Sequence, residues 1–422
     1  MTAPITVELA VPASLDDLRD EWRGLEARAG AGFFLSWSWL GTWLSTLPAG
    51  TCPRVLRARR GGRTVGLALV VPGPIRSIPL FGGRGLWLHA TGLDEIDGIA
   101  IEHNGWLVEE GDHEASRAML TLLCGGEQPW RRLTLPHLHP SAAQTLGQPV
   151  DGLALRTVEE PSWLVDLGAA RSRAGGYLGL LDSDMRRKIR RAREACESLG
   201  AIEVSVAADL ETARRYLDRL VTLHERRWAG REEPSSFIRP FAQTFHAKLV
   251  ETAFARGEIQ LLRITAGGRE IAYFYNFVHR RRVSYYQSGI DYEALPGKHS
   301  PGLLGLALAV EHNMALGHDV FDFLAGASHY KRHLSTHQEC LRTVVLDRKG
   351  FRHTAEQQLR TTLLPWIKRV SGQPVYWRLW LRKWMGRVGL GICLPAALLV
   401  LDACSEQMEP TMAPPALATV AR

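Results

Sequence analysis

The chain has 422 residues, 45% of them hydrophobic and 23% charged, which is apolar sequence enough for two or three domain-sized cores and ordinary for a soluble globular protein. Its 51 basic and 44 acidic residues leave a net charge of +7, a bias that fits an anionic cofactor but is too mild to argue for nucleic acid. Six scattered cysteines (Cys52, Cys124, Cys196, Cys340, Cys393 and Cys404) form no Cys-x-x-Cys or Cys/His cluster, so neither a disulfide framework nor a metal site is expected and a reducing compartment is. MTAPITVELAVPASLDD lacks the basic start and unbroken apolar core of a secretory signal, and no run reaches the ~20 apolar residues of a membrane span. A cytoplasmic protein is expected.

In chain order, residues 3–10 alternate as a strand and Leu15–Ala29 reads as a helix. FFLSWSWLGTWL follows with Trp37, Trp39 and Trp43. Aromatics at that density predict a buried helix between layers, with a sugar-stacking surface as the alternative. Pro53–Val71 is a hairpin turning at Gly61-Gly62. Arg84–His103 carries Asp94, Glu95 and Asp97 in a loop, either a solvated turn or a site for a hydroxyl- or amine-bearing substrate. A helix at His113–Cys124, a strand at Arg131–Pro136, a loop over Ala142–Gly152 and a strand at Pro161–Leu167 come next. On the helix Asp184–Gly200, Met185, Ile189, Ala192, Cys196 and Leu199 share one face, and arginines with Lys188 cover the rest. That basic face suits phosphates, an anionic lipid or nucleic acid, or is simply solvated. Ala207–Arg227 is a helix ending near His224 and Trp228, and Phe241–Arg256 is amphipathic.

The stretch Glu258–Ser335 organises the rest. IQLLRI, IAYFYNFV and VSYYQSGID are three antiparallel strands separated by Gly-rich or charged turns. The loop KHSPG then opens an apolar, buried helix, with Ser300 as N-cap, Pro301 at the first helical position and Gly317 as the stop. The strand DVFDFL and the segment GASHYK follow. Backbone N–H groups of Ser300, Gly302 and Leu303, with Lys298 and His299 as nearby cations, could hold a pyrophosphate; an ordinary capped helix is the alternative.

GREIAYFYNFV, YYQSGIDYEALPGKHSPGLLGL and GHDVFDFLAGASHYKRHLS together resemble the GNAT acetyltransferase superfamily. They are most similar to its CelD-like branch from bacterial polysaccharide and cell-wall settings, and more distantly to Fem-type aminoacyl transferases. DMRRKIRRAREACESLG, LHERRW and FFLSWSWLGTWLSTL share the likeness, which spans roughly Phe33 to Leu346. It implies an α/β (α+β) fold of tandem GNAT-like domains with mixed, mostly antiparallel sheets flanked by helices. The expected division is a degenerate copy over 1–160, the acyltransferase domain over 161–350 and a basic aromatic tail over 351–422. It implies acyl-CoA, acetyl-CoA first, as donor. Tyr330 becomes the acid for the leaving thiolate and Asp322 the base or an orienting group. Asp97, Lys188, Trp228, Asp291 and Lys331 are the acceptor-binding candidates. The loop here is shorter in glycine than the usual GNAT acyl-CoA loop.

The acceptor expected on this reading is a sugar, polysaccharide precursor or other small molecule in envelope or exopolysaccharide biosynthesis. A Fem-type aminoacyl-tRNA-dependent transferase, with RNA on the basic helix, and a non-catalytic membrane-peripheral scaffold are the alternatives. Nucleic acid is not expected otherwise. Leu363–Gly389 interleaves Trp and Tyr with Lys and Arg, which suits a peripheral contact at the inner face of a membrane, or a docked helix.

Overall fold

Hairpins build the first part of the molecule: β1 (Ile5–Ala10), β2 (Arg54–Arg60) and β3 (Arg63–Pro74) lie antiparallel in sequence, and the short β5 (Leu107–Val108) adds to β3. β4 (Arg84–Leu88) joins β3 antiparallel and β6 (Arg132–Leu138) parallel. β7 (Leu153–Asp166) crosses into a second group made of β8 (Ile202–Val206), β9 (Ile259–Ala266), β10 (Arg269–His279), β11 (Arg282–Ile290) and β12 (Val320–Ala325). β13 (His337–Arg348) then returns to lie between β6 and β7. The computed structural model describes residues 3–75, 83–126, 128–230, 235–295, 299–358 and 361. Among them the strands form one mostly antiparallel sheet in the order β1-β2-β3-β4-β6-β13-β7-β12-β11-β10-β9-β8.

Helices flank this sheet, which makes the fold mixed α/β. They are α1 (Leu15–Glu26), α2 (Trp37–Thr46), α3 (Asp94–Asp97), α4 (His113–Cys124), α5 (Pro140–Leu146), α6 (Leu167–Ser172), α7 (Ser183–Glu197), α8 (Leu210–Trp228), α9 (Pro240–Ala253), α10 (Pro301–Ala315), α11 (His329–Leu334) and α12 (Phe351–Gln358). Three departures from the sequence expectations matter. The strand expected at Pro161–Leu167 begins at Leu153. The loop expected over Ala142–Gly152 starts within α5, where Pro140 opens a short helix. The acidic loop at Asp94–Asp97 is one helical turn.

One core is shared by both ends of the sheet. Val55, Leu67 and Leu69 from β2 and β3 sit in the same buried cluster as Leu261, Tyr273 and Tyr275 from β9 and β10, with α1, α2, α8 and α9 between them. Trp39 and Trp43 are almost fully buried there, as the aromatic density of that helix predicts. A second core lies under α6, α7 and α10 against Val283, Phe321 and Phe323, and a third under α4 and α5. The second contains a polar knot. Gln260 donates to Asn313 Oδ1 (2.9 Å), and its Oε1 accepts from Asn276 (2.9 Å) and Asn313 (3.1 Å), locking β9, β10 and α10 in register. No helix among the described residues is long and apolar enough to cross a membrane. Residues 363–389 and the Pro/Ala-rich end lie outside the described residues.

Candidate active site

The N-terminus of α10 is built as its sequence dictates. The Ser300 hydroxyl accepts the Leu303 N–H at 3.4 Å, and Pro301 occupies the first turn, where its missing N–H removes no bond. A Cβ at Gly302 would meet nothing closer than 3.8 Å, so packing does not require the glycine; it leaves open space over the first turn. Gly289, by contrast, is needed for packing, because a Cβ there would come within 2.5 Å of the Leu220 backbone. His299 is exposed beside the cap, and Lys298 lies outside the described residues.

Beside this helix end the sheet opens. β11 and β12 run parallel for three residue pairs only, ending at Ser284 and Asp322. Two irregularities drive them apart. On β11 the register with β10 slips between Tyr275 and Asn276, leaving Tyr286 without a partner. On β12 the register with β7 shifts between Asp322 and Ala325, and Leu324 sits in the left-handed region at φ 62°. On the α10 side of the gap the Tyr285 hydroxyl lies 2.7 Å from Ser288 Oγ, and the Tyr330 hydroxyl, carried on α11, interacts with Tyr285. Burial raises the Tyr330 hydroxyl above the ordinary tyrosine value, so it stays protonated. Tyr292 is half exposed under the Arg227 guanidinium, 4.6 Å from its ring, and near Gly302. Through Tyr292 the start of α10 and the Arg227 end of α8 lie beside each other, and Tyr330 reaches the same strand through Tyr285. The Asp291 carboxylate accepts the Glu293 N–H and so also shapes the turn.

On the other face of the same strands lies a cleft of about 600 Å³, lined in part by Phe34, His103, His139, Arg282 and Ser284. Alternation puts Ser284 and Asp322 on this face, because Val283, Phe321 and Phe323 face α10. Asp322 is fully buried and takes 3.0 and 2.8 Å bonds from Arg282, which also reaches Glu339 at 3.1 Å. Its second partner is His103 Nε2 at 2.8 Å. Burial pushes the Asp322 carboxyl up, but Arg282 and His103 outweigh it and hold the group well below the usual carboxylate range. A carboxylate so reluctant to take a proton is no general base. Of the two roles expected for Asp322, its hydrogen bonds to Arg282 and His103 favour orientation.

That orientation falls on His103, which the sequence reading passed over. The Asp322 carboxylate can only accept, so Nε2 bears a hydrogen toward it; in the neutral ring Nδ1 then keeps the lone pair, and Nδ1 is buried with no hydrogen-bond partner. The residue stands in left-handed backbone at φ 47°, as does Ala100, which points to a loop held by its surroundings. His103, His139 and Glu339 are close enough to suggest a metal site, yet His139 Nδ1 accepts the Ser141 N–H at 3.2 Å to cap α5. Its neutral ring then bears the proton on Nε2, where a ligand needs a lone pair.

The remaining candidates fall elsewhere. Asp97 accepts from Thr91 N (2.8 Å), Thr91 Oγ1 (2.9 Å) and Gly92 N (2.7 Å), holding a turn. Lys188 is exposed on α7 and pairs with Asp184 at 2.7 Å. Lys331 donates to the carbonyls of Leu324 and Ala325, while the buried Glu102 takes the Ala325 N–H at 2.7 Å; together they staple the turn after β12. Burial pushes the Lys331 ammonium below its ordinary value, and Glu102 and Asp322 oppose that.

Residues 183–332 match the family model described as acetyltransferase (GNAT) domain. These residues therefore carry a GNAT-type acyltransferase domain, and domains of that kind take the acyl group from acyl-CoA. Among solved structures it is similar to FemX, at 9% identity over 84% of this chain and all of that one, with a TM-score of 0.51. It is also similar to L-PGS from Bacillus licheniformis (9% identity, 80% and 96% of the two chains, TM-score 0.48). A tandem GNAT protein from the clavulanic acid biosynthesis pathway gives 13% identity, 82% and 100% of the two chains, and a TM-score of 0.41. At 9% identity the FemX likeness extends to the fold alone. No curated protein matches the chain.

Proposed function

We propose that the protein moves an acyl group, acetyl in the first instance, from acyl-CoA to an amine or hydroxyl of a sugar, polysaccharide precursor or other small acceptor, in envelope or exopolysaccharide biosynthesis. The observation that carries this reading is the parting of β11 and β12 beside the open first turn of α10. Ser300, Gly302 and Leu303, with His299 and Lys298, are the residues to hold the donor's pyrophosphate. The acceptor enters from the opposite face, through the cleft below His103. His103 Nδ1 takes the proton of the attacking group while Asp322 keeps the ring in the right tautomer, and Tyr330 protonates the departing thiolate. Trp228 and Asp291 border the donor end; Asp97, Lys188 and Lys331 support the fold. The CelD-like branch of the family suits this reading. So does a division into GNAT-like units over 1–160 and 161–350, followed by a tail whose 363–389 segment rests on the inner face of the membrane of a cytoplasmic protein.

The test is the thermal midpoint with and without acetyl-CoA, for the wild type and Gly302→Asp. A rise that the variant loses is expected, because the added carboxylate repels the pyrophosphate in the space that glycine leaves. No rise at millimolar acetyl-CoA sinks the donor site. The exposed arginines of α7 then make aminoacyl-tRNA the next ligand to try, with vesicle binding testing a scaffold.

A further inference from the structure

A second cluster, reaching the same cleft through His279, differs from the His103–His139–Glu339 group. Glu26 closes α1, Glu258 precedes β9 and His279 ends β10. One oxygen from each carboxylate and one ring nitrogen lie within 4.8 Å of one another. Both glutamates are buried, at 8% and 6% exposure. Glu258 is compensated by Arg256 at 3.0 Å and by the Ser38 hydroxyl. Glu26 receives the Trp37 N–H at 2.9 Å and joins none of the ion pairs among the described residues. A buried carboxylate beside another, without a cation of its own, is costly.

The histidine supplies the second argument. One nitrogen of His279 donates to the Ala31 carbonyl; the other, Nε2, is buried and has no hydrogen-bond partner. The neutral ring thus presents a bare lone pair, with its N–H tied to a backbone oxygen, as carbonyls orient metal-bound imidazoles. His279 also lines the large cleft, which provides an entry path.

We propose that Glu26, Glu258 and His279 bind a divalent transition-metal ion, zinc by preference, which ties α1 to the β9–β10 hairpin. Two carboxylate oxygens and one imidazole nitrogen suit Zn²⁺ or Mn²⁺; calcium prefers six to eight oxygens and Cu(I) prefers sulfur. A fourth position is left for water. The role inferred for the ion is to hold these elements together, so the proposal stands whether or not acetyl-CoA is the donor.

The experiment is elemental analysis of the full chain purified without chelator, followed by stripping with dipicolinate and a melt with and without ~100 μM Zn²⁺. About one equivalent of metal is expected, with a midpoint that falls on stripping and recovers by roughly 3–6 °C with zinc. Glu26→Gln and His279→Gln should remain folded by circular dichroism yet hold no metal and show no zinc response. If the stripped wild type and Glu26→Gln melt together and zinc, manganese and magnesium move neither, the cluster holds a proton instead and the proposal fails. Should His279→Gln not fold, the Glu26→Gln comparison decides alone.

Discussion

Asp322 is fully buried and acts on its surroundings only through Arg282 and His103. Asp322→Asn keeps the shape but takes the buried carboxylate from half-buried Arg282, leaving it only Glu339, and about 3 kcal/mol of stability should be lost at pH 7. The sign of the pH effect follows from its depressed folded value. The ion pair contributes fully above the ordinary carboxylate range near pH 4 and fades as pH falls through the lower folded value. Urea unfolding at pH 7 and pH 3 should therefore find wild type and variant closer together in acid. Tyr330→Phe is expected to lower kcat by about 10²-fold with acetyl-CoA affinity unchanged, because an acid is lost and no binding contact is. An unchanged kcat removes Tyr330 from the chemistry. Tyr330 could be put forward from the sequence because it follows a strand in a recognisable order. His103 was not, because its meaning comes from Asp322, 219 residues away, and IEHNG carries no local sign of that partner.

The α10 helix was written plainly: Ser300-Pro301 starts it, apolar residues fill it, and Gly317, at φ 83°, ends it. Its fit on β10 depends on Gly305, where a Cβ would approach the Phe274 ring to 2.8 Å. Gly305→Ala should cost about 1–3 kcal/mol through overpacking, despite alanine's better helix propensity, and a denaturation midpoint reads this directly. The first half of β7 was hidden for the opposite reason. Arg156–Glu160 includes exposed, charged positions and shows no apolar alternation; β13 holds it there by pairing residue for residue from Arg348 to His337. A strand fixed by backbone pairing to a distant partner leaves little trace in its own residues. The V-shaped gap was equally silent, since bulges at Tyr286 and Leu324 carry no glycine to mark them.

For the molecule as a unit, β13 and the shared core make the two ends of the sheet dependent on each other. Every residue of β13 pairs with β7, and its second edge is bonded to β6. Arg132, on β6, meets Asp347 of β13 at 2.7 Å and Glu356 of α12 at 3.4 Å. Unfolding should be a single transition, with tryptophan fluorescence, dominated by the first half of the chain, and far-UV circular dichroism giving one midpoint. Two separated midpoints would show halves that stand alone.

The place of β13 also bears on how the protein is made. Between the end of β7 at Asp166 and the start of β13 at His337 a ribosome adds 337 − 166 = 171 residues. At 5–20 residues per second that takes roughly 10–35 s, during which β6 and β7 carry bare edges facing a slot that has not been synthesised. Nascent chains halted before His337 should bind holdase chaperones and aggregate on release, whereas chains extended past Arg348 should not.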